Sequence, residues 1–262
     1  MPITAITTDP AMTAEGQALL YGWPDGPAAC AVTTDMQSLH QLLAWTSPSF
    51  PIGAFSYSHG LEQAVEDGTV GTAETLAAWI DGVLRFGAGR TDAGFAVRAA
   101  RQARAGDMAG LVETAIVSSA LVPAGERALE ARQQGRSFLD AVARGWALDK
   151  AADLAAQLDA VEVPVTLPVA AGACGGWAGL PEDMLIEALV HAFAANLVSA
   201  GVRLVPLGQT DGQRVLAALG PVIGAVATAA RARPEAAPGG AAILADIAAL
   251  RHETLYSRLF RS

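Results

Sequence analysis

Lysine is almost missing from this chain: Lys150 is the single one among 262 residues. With a net charge of −9, that scarcity speaks against a nucleic-acid surface, because neutralising phosphates takes clustered Lys and Arg. It also excludes a P-loop, since GxxxxGK[ST] needs a Gly-Lys pair and Lys150 follows Asp149. Cysteine is as scarce. Cys30 and Cys174 lie far apart without a CxxC, so neither a disulfide framework nor a zinc site is signalled, and a reducing cytoplasm is the expected compartment. Strand patterning is confined to VEVPVTLPV, whose two prolines demote it, and no window fits GxSxG. Hydrophobic residues make up 52%, yet the uncharged run 163–181 holds three prolines and four glycines, and 215–230 is interrupted by Gly220, Pro221 and Gly224. A spanning helix needs roughly 20 predominantly apolar residues, so no membrane segment is expected. The N-terminus lacks the basic flank and apolar core of a signal peptide.

What the chain does have is helical periodicity. Residues 1–34 mix Thr, Pro, Gly and Ala without a period and read as a flexible arm. From Met36 a stripe of Leu39, Leu42 and Leu43 runs to the loop SPSFPIGAFS. Ser56 or Ser58 can cap a short helix through Val65, and Thr72 caps TAETLAAWIDGVLRFG, where Leu76, Trp79, Ile80, Val83 and Leu84 share one face. Further helices are expected over 91–105, 107–121, 124–157, 165–178, 182–200, 211–232 and 240–249. Helices with short connections must bury apolar stripes against each other, so the fold expected is an all-α, single-domain helical bundle over 35–250.

Reactive groups are few. On a helix starting at Ser58, His59, Glu62 and Glu66 fall on one face, where an imidazole and two carboxylates could pass a divalent ion. The bland alternative is a solvated polar face opposite Leu61 and Val65, on which Glu62→Ala or Glu66→Ala would leave the fold intact. Ser56, Ser58 and His59 offer a hydrolase reading, but no strand precedes them to build a nucleophile elbow. His191, within ALVHAFAANL, reads as a packed core histidine.

The ending, residues 251–262, is out of character. RHETLYSRLFRS carries three arginines and one glutamate, against 14 basic and 25 acidic residues before it. As a helix it places His252, Leu255, Tyr256, Leu259 and Phe260 on one half of its surface, and Arg251, Arg258 and Arg261 on the other. Such a segment can dock into a partner's groove, or close on its own bundle.

Three stretches, LLAWTSPSFPIGAFSYSHGLEQAVEDGTV (42–70), NLVSAGVRLVPLGQTDGQRVLAAL (196–219) and RHETLYSRLFRS (251–262), together resemble the urease accessory protein F family. The resemblance implies an all-helical, dimeric, non-catalytic chaperone that bridges a D/H-type accessory protein and a G-type GTPase on apo-urease. Nickel would then be cargo in transit rather than a stable cofactor, and GTP would be bound by the partner. As a docking element, the ending would contact a partner through Arg251, His252, Glu253, Leu255, Tyr256, Arg258, Leu259 and Phe260. Tyr57, Arg203, Gln213 and Arg214 join them as further candidates. In LGQTDGQR, Thr210 and Gln213 fit a capping box that launches a helix, and the flanking Arg203 and Arg214 could equally pair locally. A cryptic hydrolase and a passive helical dimerisation module are the alternatives from other classes.

Overall fold

Helix after helix closes against small residues in the computed structural model, which describes residues 34–233 and 239–262. The expected arm, 1–34, lies almost wholly outside them. The described residues contain no strand, and the fold is all-α. The site lies in a compact unit, Gln41–Ser262, which includes the terminal segment 251–262 rather than ending before it.

Helix α1 (Thr34–Trp45) buries Leu42 and Trp45. A 3-10 turn (Ala54–Ser56) and α2 (Leu61–Glu66) follow. Helix α3 (Ala73–Phe86) starts where expected: the Thr72 hydroxyl accepts the Thr75 N–H, and the Thr75 hydroxyl accepts the Thr72 N–H. It buries Leu76, Ile80, Val83 and Leu84.

Helix α4 (Ala88–Ala105) then makes its widest contact with α8 (Leu167–Trp177). The reason is size. Gly172 and Gly176 sit one turn apart on α8, and a Cβ on either would overlap the carbonyl of Ala96 or Ala100 on α4. Two backbones thus touch where larger side chains would hold helices 8–10 Å apart. At the C-terminal end of α4, Arg101 forks onto Glu182 at 2.9 and 2.7 Å, and Arg104 adds a contact at 3.2 Å. The Arg101 guanidinium foremost holds the Glu182 carboxyl below its usual range, and the cluster ties α4 to the start of α9 (Glu182–Leu204).

Helix α5 (Met108–Ala120) is capped by Asp107, whose carboxylate accepts the Gly110 N–H at 2.8 Å. The single helix expected over 124–157 is two, α6 (Gly125–Gly145) and α7 (Asp149–Ala160). Ala147, with φ 51°, breaks the ladder, and α7 folds back to pack on α6 and α8 with Leu154 and Leu158 buried. At the break Trp146 meets Trp45 edge-on, which in turn meets Phe138 edge-on. That aromatic contact favours the bend over a continued helix.

Helices α9 and α10 (Gln209–Ala232) pack on each other and on α3 and α4. By length and composition both are long and apolar enough to cross a membrane, which the sequence patterning did not suggest. Helix α10 begins one residue before the expected cap: Gly208 is the cap, and its N–H donates to Asp211 at 3.3 Å. The last helix is α11 (Ile243–His252).

Candidate interaction site

The loop between the 3-10 turn and α2 departs from regular helix at two successive residues. His59 has φ 57° and Gly60 φ 76°, both left-handed. Gly60 is required there twice over, because an added Cβ would also lie 2.7 Å from the Ala249 nitrogen of α11. This kink replaces the expected helix from Ser58 and dissolves the shared face of His59, Glu62 and Glu66. The three side chains diverge. Glu66 is exposed, while His59 and Glu62 are buried against different partners. Among the described residues no cluster of three His, Cys, Asp or Glu side chains is placed to hold a metal ion.

Glu62 is the anchor of the terminal segment. Its carboxylate accepts the N–H groups of Leu259 at 2.6 Å and Phe260 at 3.0 Å, and lies 2.9 Å from His252 Nε2. The other ring nitrogen of His252 lies 2.6 Å from Glu126, which also receives Arg258. His252 itself is fully buried. Glu253 turns back to α6, accepting the Gly125 N–H at 2.7 Å, so a carboxylate sits on the positive end of that helix.

A second carboxylate, Glu130, lies one helical turn beyond Glu126. It receives His59 Nε2 at 2.6 Å, the Ser262 hydroxyl at 2.9 Å and Gln134 at 3.0 Å, with Arg127 at 3.3 Å. Burial, then the Arg127 guanidinium, push the His59 imidazole below its ordinary value, so it stays neutral and donates to Glu130. Burial opposes the charge on Glu130. Contacts with His59, Arg127 and Ser262 outweigh it and keep the carboxyl below its usual range. His59, Arg127, Glu130 and Gln134 line a cavity of about 560 Å³ together with Asp92, whose carboxyl burial raises to about 7.

The hydrolase reading finds no pair to work with. The Ser58 hydroxyl donates to the Ser262 carbonyl and accepts the Glu62 N–H, while His59 Nε2 is engaged by Glu130. His191 is exposed rather than packed. Cys174 is a buried free thiol, its ionisation pushed up by burial.

The ending is not an amphipathic helix. After His252 the chain runs through turns and bends, and the five residues expected on one face part company. His252 and Phe260 are buried and Leu255 is half-buried, while Tyr256 and Leu259 point outward at 104% and 65% exposure. Of the arginines, Arg251 reaches Asp67 at 3.4 Å and Arg258 reaches Glu126. The Arg261 N–H donates to Ser56 O at 2.9 Å, and the Ser58 N–H to Ser262 O at 2.8 Å.

The remaining candidates also make contacts within the chain. Arg203 lies 4.3 Å over the Phe260 ring and donates to the Phe55 carbonyl at 2.9 Å. Arg214 pairs with Asp211 at 2.7 Å, and Gln213 is exposed. Tyr57 is buried, its hydroxyl donating to Gln133 at 2.6 Å. Sequence reasoning missed Glu126, Arg127, Glu130 and Asp92. A signal existed for the first three: ERALEARQQ sets Glu126, Glu130 and Gln134 at four-residue spacing on one face.

The chain is similar in sequence to known proteins. The profile of the UreF family matches residues 70–220. A urease accessory protein UreF of Rhodopseudomonas palustris (strain HaA2) is 44% identical over 91% of this chain and 100% of its own length. Another from Bradyrhizobium sp. (strain ORS 278) is 46% identical over 87% and 93%, respectively. A third, from Methylorubrum populi, is 46% identical over 85% of this chain and 98% of its own.

Proposed function

Since the chain belongs to the UreF family of urease accessory proteins, and so takes part in urease maturation, we propose that it does so as a bridge. One side engages the D/H-type accessory protein and the other a G-type GTPase, and the assembly inserts nickel into apo-urease. The GTPase brings the nucleotide, consistent with a sequence that has no Gly-Lys pair. Nickel is cargo in transit, the work is done in the cytoplasm, and the protein acts as a chaperone rather than an enzyme. A homodimer is the working unit. Ile243, Leu244, Ile247 and Leu250 leave an exposed apolar face on α11 that supports it, because isolated soluble chains seldom expose such contiguous patches.

The observation that carries the D/H-side contact is the terminal segment. Its buried residues fasten it to Glu62 and Glu130, and that fastening holds Tyr256 and Leu259 outward on a fixed backbone. A preorganised aromatic anchor of this kind binds with little ordering cost. The test is pull-down of the D/H-type protein by the wild-type chain and by Tyr256→Ala with Leu259→Ala. Loss of capture with an unchanged melting temperature is expected. Undiminished capture refutes this surface.

A further inference from the structure

The loop PIGAFSY, residues 51–57, is held at four points although little of it is buried. Arg203 takes the Phe55 carbonyl, the Arg261 N–H takes that of Ser56, Asn196 takes that of Tyr57 at 3.3 Å, and the Tyr57 hydroxyl reaches Gln133. So fastened, the loop forms one wall of a surface groove of about 630 Å³. Phe55 stands in it at 63% exposure, beside Pro51 and Ile52. Across from the loop, Arg132 and Arg136 project from successive turns of α6, and Arg261 completes the rim from the terminal segment.

The charge in this groove is uncompensated. Arg136 is occupied by Asp159 at 2.7 Å and Asp140 at 3.2 Å. Arg132 and Arg261 are exposed and meet no carboxylate among the described residues. On a chain of net charge −9, two free guanidiniums beside an exposed phenylalanine form a local site of opposite sign. Arginine matches carboxylates by paired N–H donors, and its aromatic neighbour supplies an apolar contact. We propose that this groove binds a short acidic segment of another protein, with an apolar side chain seated on Phe55 and carboxylates on Arg132 and Arg261. A polyanion such as nucleic acid is disfavoured, since the acidic remainder of the chain repels extended phosphate charge. The inference rests on the proposed function only for the occupant being one of the maturation partners.

Fluorescence anisotropy with the full chain tests it, using a labelled peptide of glutamates and aspartates around one leucine. Arg132→Glu and Arg261→Glu should each weaken binding about tenfold, Phe55→Ala should weaken it about fivefold, and raised salt should weaken it further. Arg90→Glu, exposed and outside the groove, should leave it unchanged. The same peptide with glutamine and asparagine should not bind. The proposal is overturned if the wild-type chain ignores the acidic peptide, if Arg90→Glu weakens binding as much as Arg132→Glu, or if oligothymidylate displaces the peptide. The peptide assay uses the isolated chain, so its outcome is independent of the Tyr256 and Leu259 pull-down.

Discussion

Glu62→Ala separates the surface reading of this carboxylate from the buried one. A solvated glutamate would change stability by about 0.5 kcal/mol or less. The structure instead gives Glu62 three partners, the N–H groups of Leu259 and Phe260 and the ring of His252, all at 3.0 Å or less. Hydrogen bonds to an ionised group contribute roughly 1.5–3 kcal/mol each, but they share one acceptor and do not add. Removing the carboxylate leaves two backbone N–H groups and the His252 ring without their acceptor, at about 1–3 kcal/mol for each buried group, so about 3–5 kcal/mol is the destabilisation expected here. At about 2–4 °C per kcal/mol for a chain of this size class, the melting temperature should fall by about 10 °C. Urea titrations followed by circular dichroism, with Glu66→Ala as the exposed control, measure it. Trypsin should cut the mutant sooner after Arg258, because the segment loses its anchor. If Glu62→Ala stays within about 1 kcal/mol of Glu66→Ala, Glu62 does not anchor the terminal segment.

Truncation after Leu250 should yield an aggregating chain rather than a soluble one, since it removes buried His252 and Phe260 and strands Glu62 and Glu130; sedimentation and far-UV circular dichroism read this. Gly172→Val should destabilise by about 3 kcal/mol by forcing α8 off α4, whereas Gly145→Ala, with open space around it, should be tolerated in the same urea titration. Asp92 has its folded pKa raised to about 7, so it binds a proton in the folded chain that the unfolded chain releases near pH 4. Its share of stability is therefore present below pH 4 and lost as pH rises to 7. Asp92→Asn should accordingly stabilise the chain by about 4 kcal/mol at pH 8 relative to wild type, with the gain vanishing at pH 4.

Local signals were legible where local physics decides the outcome. Thr72 caps its helix as the sequence suggests, and the stripe of Leu76, Ile80, Val83 and Leu84 is the buried face of α3. The break at Ala147 was not legible, because nothing between Gly145 and Asp149 forbids a helix. It is the contact of Trp146 with Trp45, a hundred residues away in sequence, that accompanies the bend. The helix expected over 165–178 forms as α8, although GACGGW is weak by propensity. Its glycines gain by approach to α4 what they lose in entropy, a tertiary override of local preference. The site failed in sequence for a related reason. A helix through Ser58 is the natural reading of SYSHGLEQAVE, and only the left-handed pair His59–Gly60 turns Glu62 inward and His59 toward Glu130. The terminal segment has true helical periodicity, yet Glu62 captures its backbone N–H groups at Leu259 and Phe260 and so competes with the helical ladder.

Recruitment of maturation partners through the fastened terminal segment is the proposed role of this chain. The most direct measurement is nickel content and activity of urease produced with its accessory proteins and either the wild-type chain, no chain, or Tyr256→Ala with Leu259→Ala. Wild type should give nickel-loaded, active urease with the D/H-type and G-type proteins co-eluting, while the other two should give apo-urease and no such assembly. Fully loaded urease from the double variant would contradict it.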